Sequence, residues 1–113
     1  MDEMLWNATE DVLLELGVCS RNRAFLYCCE SIQIMKNERG IKLSALYQMI
    51  ANKYKVKSDN VRLSINYEVK NIEGSSFINV FGSSDIKTNA EFLGALLIKV
   101  KRNNFGCDTG RFC

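Results

Sequence analysis

Residues 42–72 read KLSALYQMIANKYKVKSDNVRLSINYEVKNI and contain two successive helical patterns. In its first part, apolar residues recur at intervals of three and four positions: Leu43, Leu46, Tyr47, Ile50, Ala51 and Tyr54. This spacing predicts an amphipathic helix that starts near Lys42. In the second part, Ser58 or Asp59 can cap another helix that runs to about Asn71. Its buried edge would hold Val61, Ile65, Val69 and Ile72.

The short connection between these two helices predicts a central helix-turn-helix. Ala51 is small where the two helices must approach closely, and Val56 is apolar where it can fill the corner of the turn. Such turns usually contain glycine, but Lys55 occupies that position here. A left-handed lysine would carry strain, unless the turn has a different shape.

The rest of the chain predicts an all-α fold of about six helices, separated by short Gly, Ser or Asn breaks. Residues 7–10 look like a capping box for a first helix that runs to Leu16, and Gly17 supplies its left-handed end. A second helix covers about residues 22–37, and Gly40 marks its end.

Residues 74–76 form a predicted break, and residues 77–81 fit either a short helix or a short strand, because Phe, Ile and Val are good strand formers. Residues 82–85 form a loop, and residues 88–91 are a second capping box, which starts the last helix. Residues 1–103 therefore form one predicted domain, and residues 104–113 a flexible tail.

Charge is distributed unevenly, although the net charge of the 113 residues is only +2. Residues 2–15 carry five acids and no base, whereas residues 42–70 carry six bases and two acids. The last 15 residues carry four bases and one acid. Basic segments attract phosphate backbones, so the middle and the end of the chain are the candidates for a polyanion partner.

The residues that are missing argue against an enzyme, a cofactor or a metal site. There is no histidine, so Ser-His and Cys-His nucleophile pairs cannot form, and zinc loses its commonest ligand. The five cysteines include no Cys-x-x-Cys pair; Cys28 and Cys29 fall in a helical pattern and are expected to be buried thiols. No apolar run approaches the roughly 20 residues of a membrane span, and the start of the chain is acidic where a signal peptide would be basic. A cytoplasmic protein is expected.

The second helix of the pair is the candidate recognition helix. With Val61 and Ile65 inward, the helical period points Leu63, Asn66 and Lys70 outward. The side chains expected to read base edges of double-stranded DNA in the major groove are Arg62, Leu63, Asn66 and Tyr67. Those expected to contact phosphates are Lys53, Lys55, Lys57, Ser58, Asn60 and Lys70.

Four stretches resemble the C-terminal DNA-binding effector domain of the stage-zero sporulation response regulator family. They are ELGV (15–18), AFLYCCESI (24–32), LYQMIANKY (46–54) and KTNAEF (87–92), and the likeness covers about residues 8–102. The resemblance implies a six-helix domain that binds a short DNA box and a nucleoid-associated location. It also implies pairing of two domains along DNA, and contact with the RNA polymerase sigma subunit through about residues 72–86.

The chain departs from this family in two ways. No receiver domain is expected, because too few residues precede the likeness. The family has Glu-Arg and then Arg-His on the recognition helix, where this chain has Arg62-Leu63 and Asn66-Tyr67. These differences keep an alternative function open, in which the domain pairs with a full-length regulator or the sigma subunit and modulates it without a DNA target.

Overall fold

Six helices and no strand make up residues 1–105, the part of the chain that the computed structural model describes. The helices are α1 (Glu3–Glu15), α2 (Arg23–Asn37), α3 (Leu43–Tyr54), α4 (Ser58–Asn71), α5 (Gly74–Phe81) and α6 (Asn89–Phe105). The predicted all-α class is confirmed, and the segment left open between helix and strand is helical. None of the described helices has both the length and the apolar character required to cross a membrane.

The core forms around α2, which packs against α1, α3, α4 and α6. The fully buried side chains of the core come from every long helix. They include Leu5, Val12, Leu13, Cys29, Ile32, Leu46, Ala51, Val61, Ile65, Phe92, Leu93, Leu96 and Val100. The short α5 joins this core through Phe77 and Phe81, whose rings meet the edge of Phe92 at centroid distances of 6.2 and 6.3 Å. The amphipathic stripe predicted for α3 is confirmed by the burial of its central members.

The first helix starts earlier than the sequence pattern predicts. Its N-cap is Asp2 and not Asn7, because the Asp2 carboxylate accepts a hydrogen bond from the Leu5 amide at 3.0 Å. Asp2 is also tied to α2, since Lys36 donates to its carboxylate at 2.5 Å. Glu10, expected to reach back to Asn7, instead accepts a hydrogen bond from Trp6 Nε1 at 3.2 Å. A tertiary contact has therefore overridden the local capping signal.

Two other helix starts differ from prediction, and the third agrees. Lys57 caps α4 with its backbone carbonyl, so Ser58 and Asp59 are already helical. Residues 74–76 are the first turn of α5 and not a break, because burial of Phe77 draws them into the helix. The capping box of α6 is present: the Glu91 amide donates to Thr88 Oγ1 and the Thr88 amide donates to the Glu91 carboxylate, both at 3.1 Å.

The last predicted boundary is only partly described. Helix α6 extends to Phe105, two residues into the expected tail. Residues 106–113, with Cys107 and Cys113, lie outside the described residues.

Candidate nucleic-acid interface

A three-residue turn joins α3 to α4, and Lys55 sets its geometry. Lys55 has φ 57° and ψ 45°, which is the left-handed conformation, one of the two alternatives that the sequence left open for a turn without glycine. The next amide, that of Val56, donates to the Ala51 carbonyl at 3.0 Å, the hydrogen bond of a Schellman end. Val56 packs against the core, as expected for the residue that fills the corner.

The inner faces of α3 and α4 are closely packed. Ala51, Val61 and Ile65 are completely buried, and Ile50 is 1% exposed. A small residue at position 51 lets the two helices approach closely, because the side chain of Ala51 is only a methyl group. The position of α4 is thus determined by the core and not by its surface residues.

Asn89 ties the start of α6 to both helices of this pair. Its Nδ2 donates to the Tyr47 hydroxyl at 3.0 Å and to the Arg62 carbonyl at 3.1 Å. Within residues 1–105, its buried Oδ1 has no hydrogen-bond partner. Burial raises the pKa of Tyr47, and the hydrogen bond from Asn89 acts in the opposite direction. Sequence reasoning placed Asn89 in a capping box but missed this contact, because the residues lie far apart in the chain.

The outward face of α4 is both cationic and apolar. Leu63 is 51% exposed, Tyr67 is 68% exposed, and Arg62 and Lys70 are also exposed. Arg62 lies 3.7 Å from Asp59, a distance that leaves its guanidinium free to move toward another anion. Asn66 differs from prediction, because it is half-buried and does not point directly outward. The other three candidate base-reading residues share an accessible surface.

The candidate phosphate ligands fall into two groups. Lys55, Lys57, Asn60 and Lys70 are exposed, and Ser58 is half-buried. Lys53 is different, because its ammonium lies 2.8 Å from the carboxylate of Glu30, on α2.

The carboxylate that holds Lys53 is itself nearly buried. The side chain of Glu30 is 8% exposed, and it also accepts a hydrogen bond from the Tyr54 hydroxyl. Burial, followed by this contact with Glu30, raises the pKa of Tyr54. Lys53 therefore helps to fasten α3 to α2, although its side chain is 60% exposed, and lysines 55 and 57 are exposed in the turn beside α4.

Sequence reasoning missed the contribution of α2 to this surface. An open groove of about 450 Å³ lies between the start of α2 and α4, lined by Asn22, Arg23, Ala24, Leu63, Ser64, Tyr67 and Glu68. Asn22 Nδ2 donates to the Glu68 carboxylate at 3.0 Å, across 46 residues of sequence. This hydrogen bond fixes the start of α2 beside α4 and brings Arg23 next to Leu63. Only the positive charge of Arg23 was visible in the sequence.

Cys28 and Cys29 are buried thiols, as predicted. Burial raises the pKa of both, that of Cys29 to about 12, so both are protonated and unreactive at neutral pH. No group of three or more potential metal ligands occurs in the part of the chain that the structure describes.

Comparison with known proteins adds no family assignment. No protein-family model, curated protein or solved structure matches the chain. The resemblance to the sporulation regulator effector domain stays a prediction.

Proposed function

We propose that this protein binds double-stranded DNA through a helix-turn-helix made of α3 and α4. The observation that carries the proposal is the outward face of α4, where Arg62, Leu63, Tyr67 and Lys70 are exposed together on a helix held by the core. An α-helix fits the major groove of B-DNA, and the side chains on its outer face reach base edges there. Arginine reads guanine through two hydrogen bonds, and an apolar side chain contacts thymine.

The turn supplies the second part of the proposal. Lys55 and Lys57 are exposed at the start of α4, so they would meet the phosphates that border the groove entered by this helix. Lys70, near the other end of α4, would contact a phosphate further along. Lys53 is assigned a lesser role, because Glu30 already holds its ammonium at 2.8 Å.

The first test is selection of a binding site from a random duplex library with the full chain, at about 0.15 M salt, where nonspecific attraction is partly screened. Enrichment of one short motif is expected. The K55A/K57A variant should then bind that motif more weakly. The slope of log K for DNA binding against log salt concentration should be shallower by about 1.8, which corresponds to the loss of about two phosphate contacts.

A control of equal charge is available on α6. The K99A/K101A variant loses the same charge at two half-buried positions that follow the buried Leu96, toward the end of the helix away from Asn89. Its salt dependence should match that of the parent chain. Equal losses for the two double variants would mean that net charge alone drives binding, which contradicts the proposed interface.

A second candidate function is favoured by the large apolar exposure on α4. Leu63 is 51% exposed and Tyr67 68% exposed on one face of α4, and apolar surfaces of this kind often contact proteins. In this case the domain would bind a full-length regulator or the sigma subunit without reading DNA. No motif would then enrich in the selection, and Leu63→Ala would weaken binding to the protein partner.

A further inference from the structure

The groove between α2 and α4 is lined by an apolar surface and by the cation of Arg23. Leu63 and Tyr67 lie four residues apart, so they share one face of α4 and form the apolar wall. Arg23 and Ala24 form the opposite wall, and Ala24 is 3% exposed.

The two walls keep their spacing because Asn22 bridges them. Its amide donates to the Glu68 carboxylate at 3.0 Å, which restrains the first turn of α2 against α4. Arg23 follows Asn22 directly and lines the same groove, where it is exposed. Glu68 would repel an anion on its own side, which places any phosphate on the side of Arg23.

This arrangement matches the major-groove edge of one base. Thymine is the base that presents an apolar group there, its 5-methyl, and the other three bases do not. The phosphates of the same strand border the groove, where positive side chains beside the inserted helix contact them. The 5-methyl of a thymine therefore fits the apolar wall, and a neighbouring phosphate of the same strand fits the wall that contains Arg23.

We propose that the groove between α2 and α4 reads a thymine in duplex DNA, with Leu63 and Tyr67 around the 5-methyl and Arg23 on the adjacent phosphate. The inference rests on the proposed DNA-binding function and adds a specificity to it. It also adds α2 as a second DNA-contacting element.

The test uses the full chain and the DNA motif that selection provides. Each thymine of the motif is replaced in turn by deoxyuridine, which removes only the 5-methyl. Replacement of one thymine should weaken binding about fourfold, which corresponds to the loss of about 0.8 kcal/mol for one buried methyl group. The other replacements should have smaller effects.

Leu63→Ala connects this effect to the groove. In this variant, the ratio between the thymine and deoxyuridine duplexes should fall well below fourfold, because only Tyr67 still contacts the 5-methyl. Leu14→Ala removes a similarly exposed leucine from α1, 54% exposed, and should keep the fourfold ratio. Thermal melting of both variants checks that each is folded.

Arg23→Ala tests the phosphate contact. It should weaken binding of the thymine and deoxyuridine duplexes by the same factor and lower the salt slope by about 0.9. Arg39→Ala, beyond the other end of α2, should leave that slope unchanged.

The outcomes separate the two proposals. A motif that binds without any thymine–deoxyuridine difference, or whose fourfold difference is unchanged in Leu63→Ala, overturns the thymine site and leaves DNA binding standing. An unchanged salt slope for Arg23→Ala overturns the role of α2. If no motif enriches, or if the groove binds a protein instead, both the function and the thymine site are refuted.

Discussion

Lys55→Gly should stabilise the protein, because the backbone at this position favours glycine. The left-handed conformation of Lys55, with φ 57°, costs an L-residue about 1–2 kcal/mol. The end of α1 shows the same arrangement with glycine in place: Gly17 has φ 87°, and the Val18 amide donates to the Leu13 carbonyl at 3.0 Å. Glycine also makes the unfolded chain more flexible, which offsets about 0.4–1 kcal/mol. The net gain in the free energy of unfolding is therefore about 0.5–1 kcal/mol.

Thermal unfolding of the full chain, followed by circular dichroism, measures this gain. In a domain of this size, 1 kcal/mol moves Tm by about 4 °C, so a rise of about 2–4 °C is expected. Lys55→Ala is the matched control: it removes the same charge but keeps a Cβ in the left-handed conformation. Its stability should lie within about 0.5 kcal/mol of the parent.

The difference in stability between Lys55→Gly and Lys55→Ala tests whether residue 55 is left-handed in solution. At an ordinary helical position, glycine is less stable than alanine by about 1 kcal/mol, and at a left-handed position the order reverses. If Lys55→Ala is as stable as Lys55→Gly, or more stable, Lys55 does not hold the left-handed conformation in solution. The Schellman end of α3 would then be refuted.

Three further substitutions test the packing that supports the site, each by urea unfolding. Leu13→Ala should lower the free energy of unfolding by about 3 kcal/mol because Leu13 is fully buried, whereas Leu14→Ala should change it by less than about 0.5 kcal/mol; equal losses would contradict the orientation of α1. Thr88→Ala should cost about 1 kcal/mol by removing the cap of α6, and an unchanged midpoint would mean that the cap is not formed. Glu30→Ala should lower the free energy of unfolding by about 2 kcal/mol, because it leaves the Tyr54 hydroxyl without its acceptor. Lys53→Ala should lower it by less than about 1 kcal/mol, and the reverse order would argue against the contacts of Glu30 with Tyr54 and Lys53.

Much of the fold could be predicted from the sequence because its signals are local. The three-and-four spacing of α3 and the capping box at Thr88 depend on residues within one or two turns. Both were predicted at the correct position. For Lys55, the sequence left open a left-handed residue or a turn of different shape, and the structure shows the left-handed residue.

The missed features depend on residues that meet only in three dimensions. Asp2 replaces Asn7 as the cap of α1, and Lys36, 34 residues away, holds its carboxylate. Asn89 bonds to Tyr47 across 42 residues. No periodicity marks such pairs, so the sequence supplied candidate residues for the site but not the network that positions them.

The placement of the lysines sharpens the proposed function more than their number does. Residues 53, 55 and 57 look equivalent in the sequence, as three cations at alternate positions around a turn. In the structure, Lys53 is paired with the nearly buried Glu30, so its charge is already partly neutralised although its side chain is 60% exposed. Lys55 is exposed in a conformation that glycine would adopt at lower cost, so its positive charge and its backbone strain occur together. Strain of this kind is often concentrated at functional sites, and a phosphate contact gives this charge a use that a glycine could not provide. Lys55→Gly should therefore separate the two properties, by raising Tm while it weakens binding to duplex DNA.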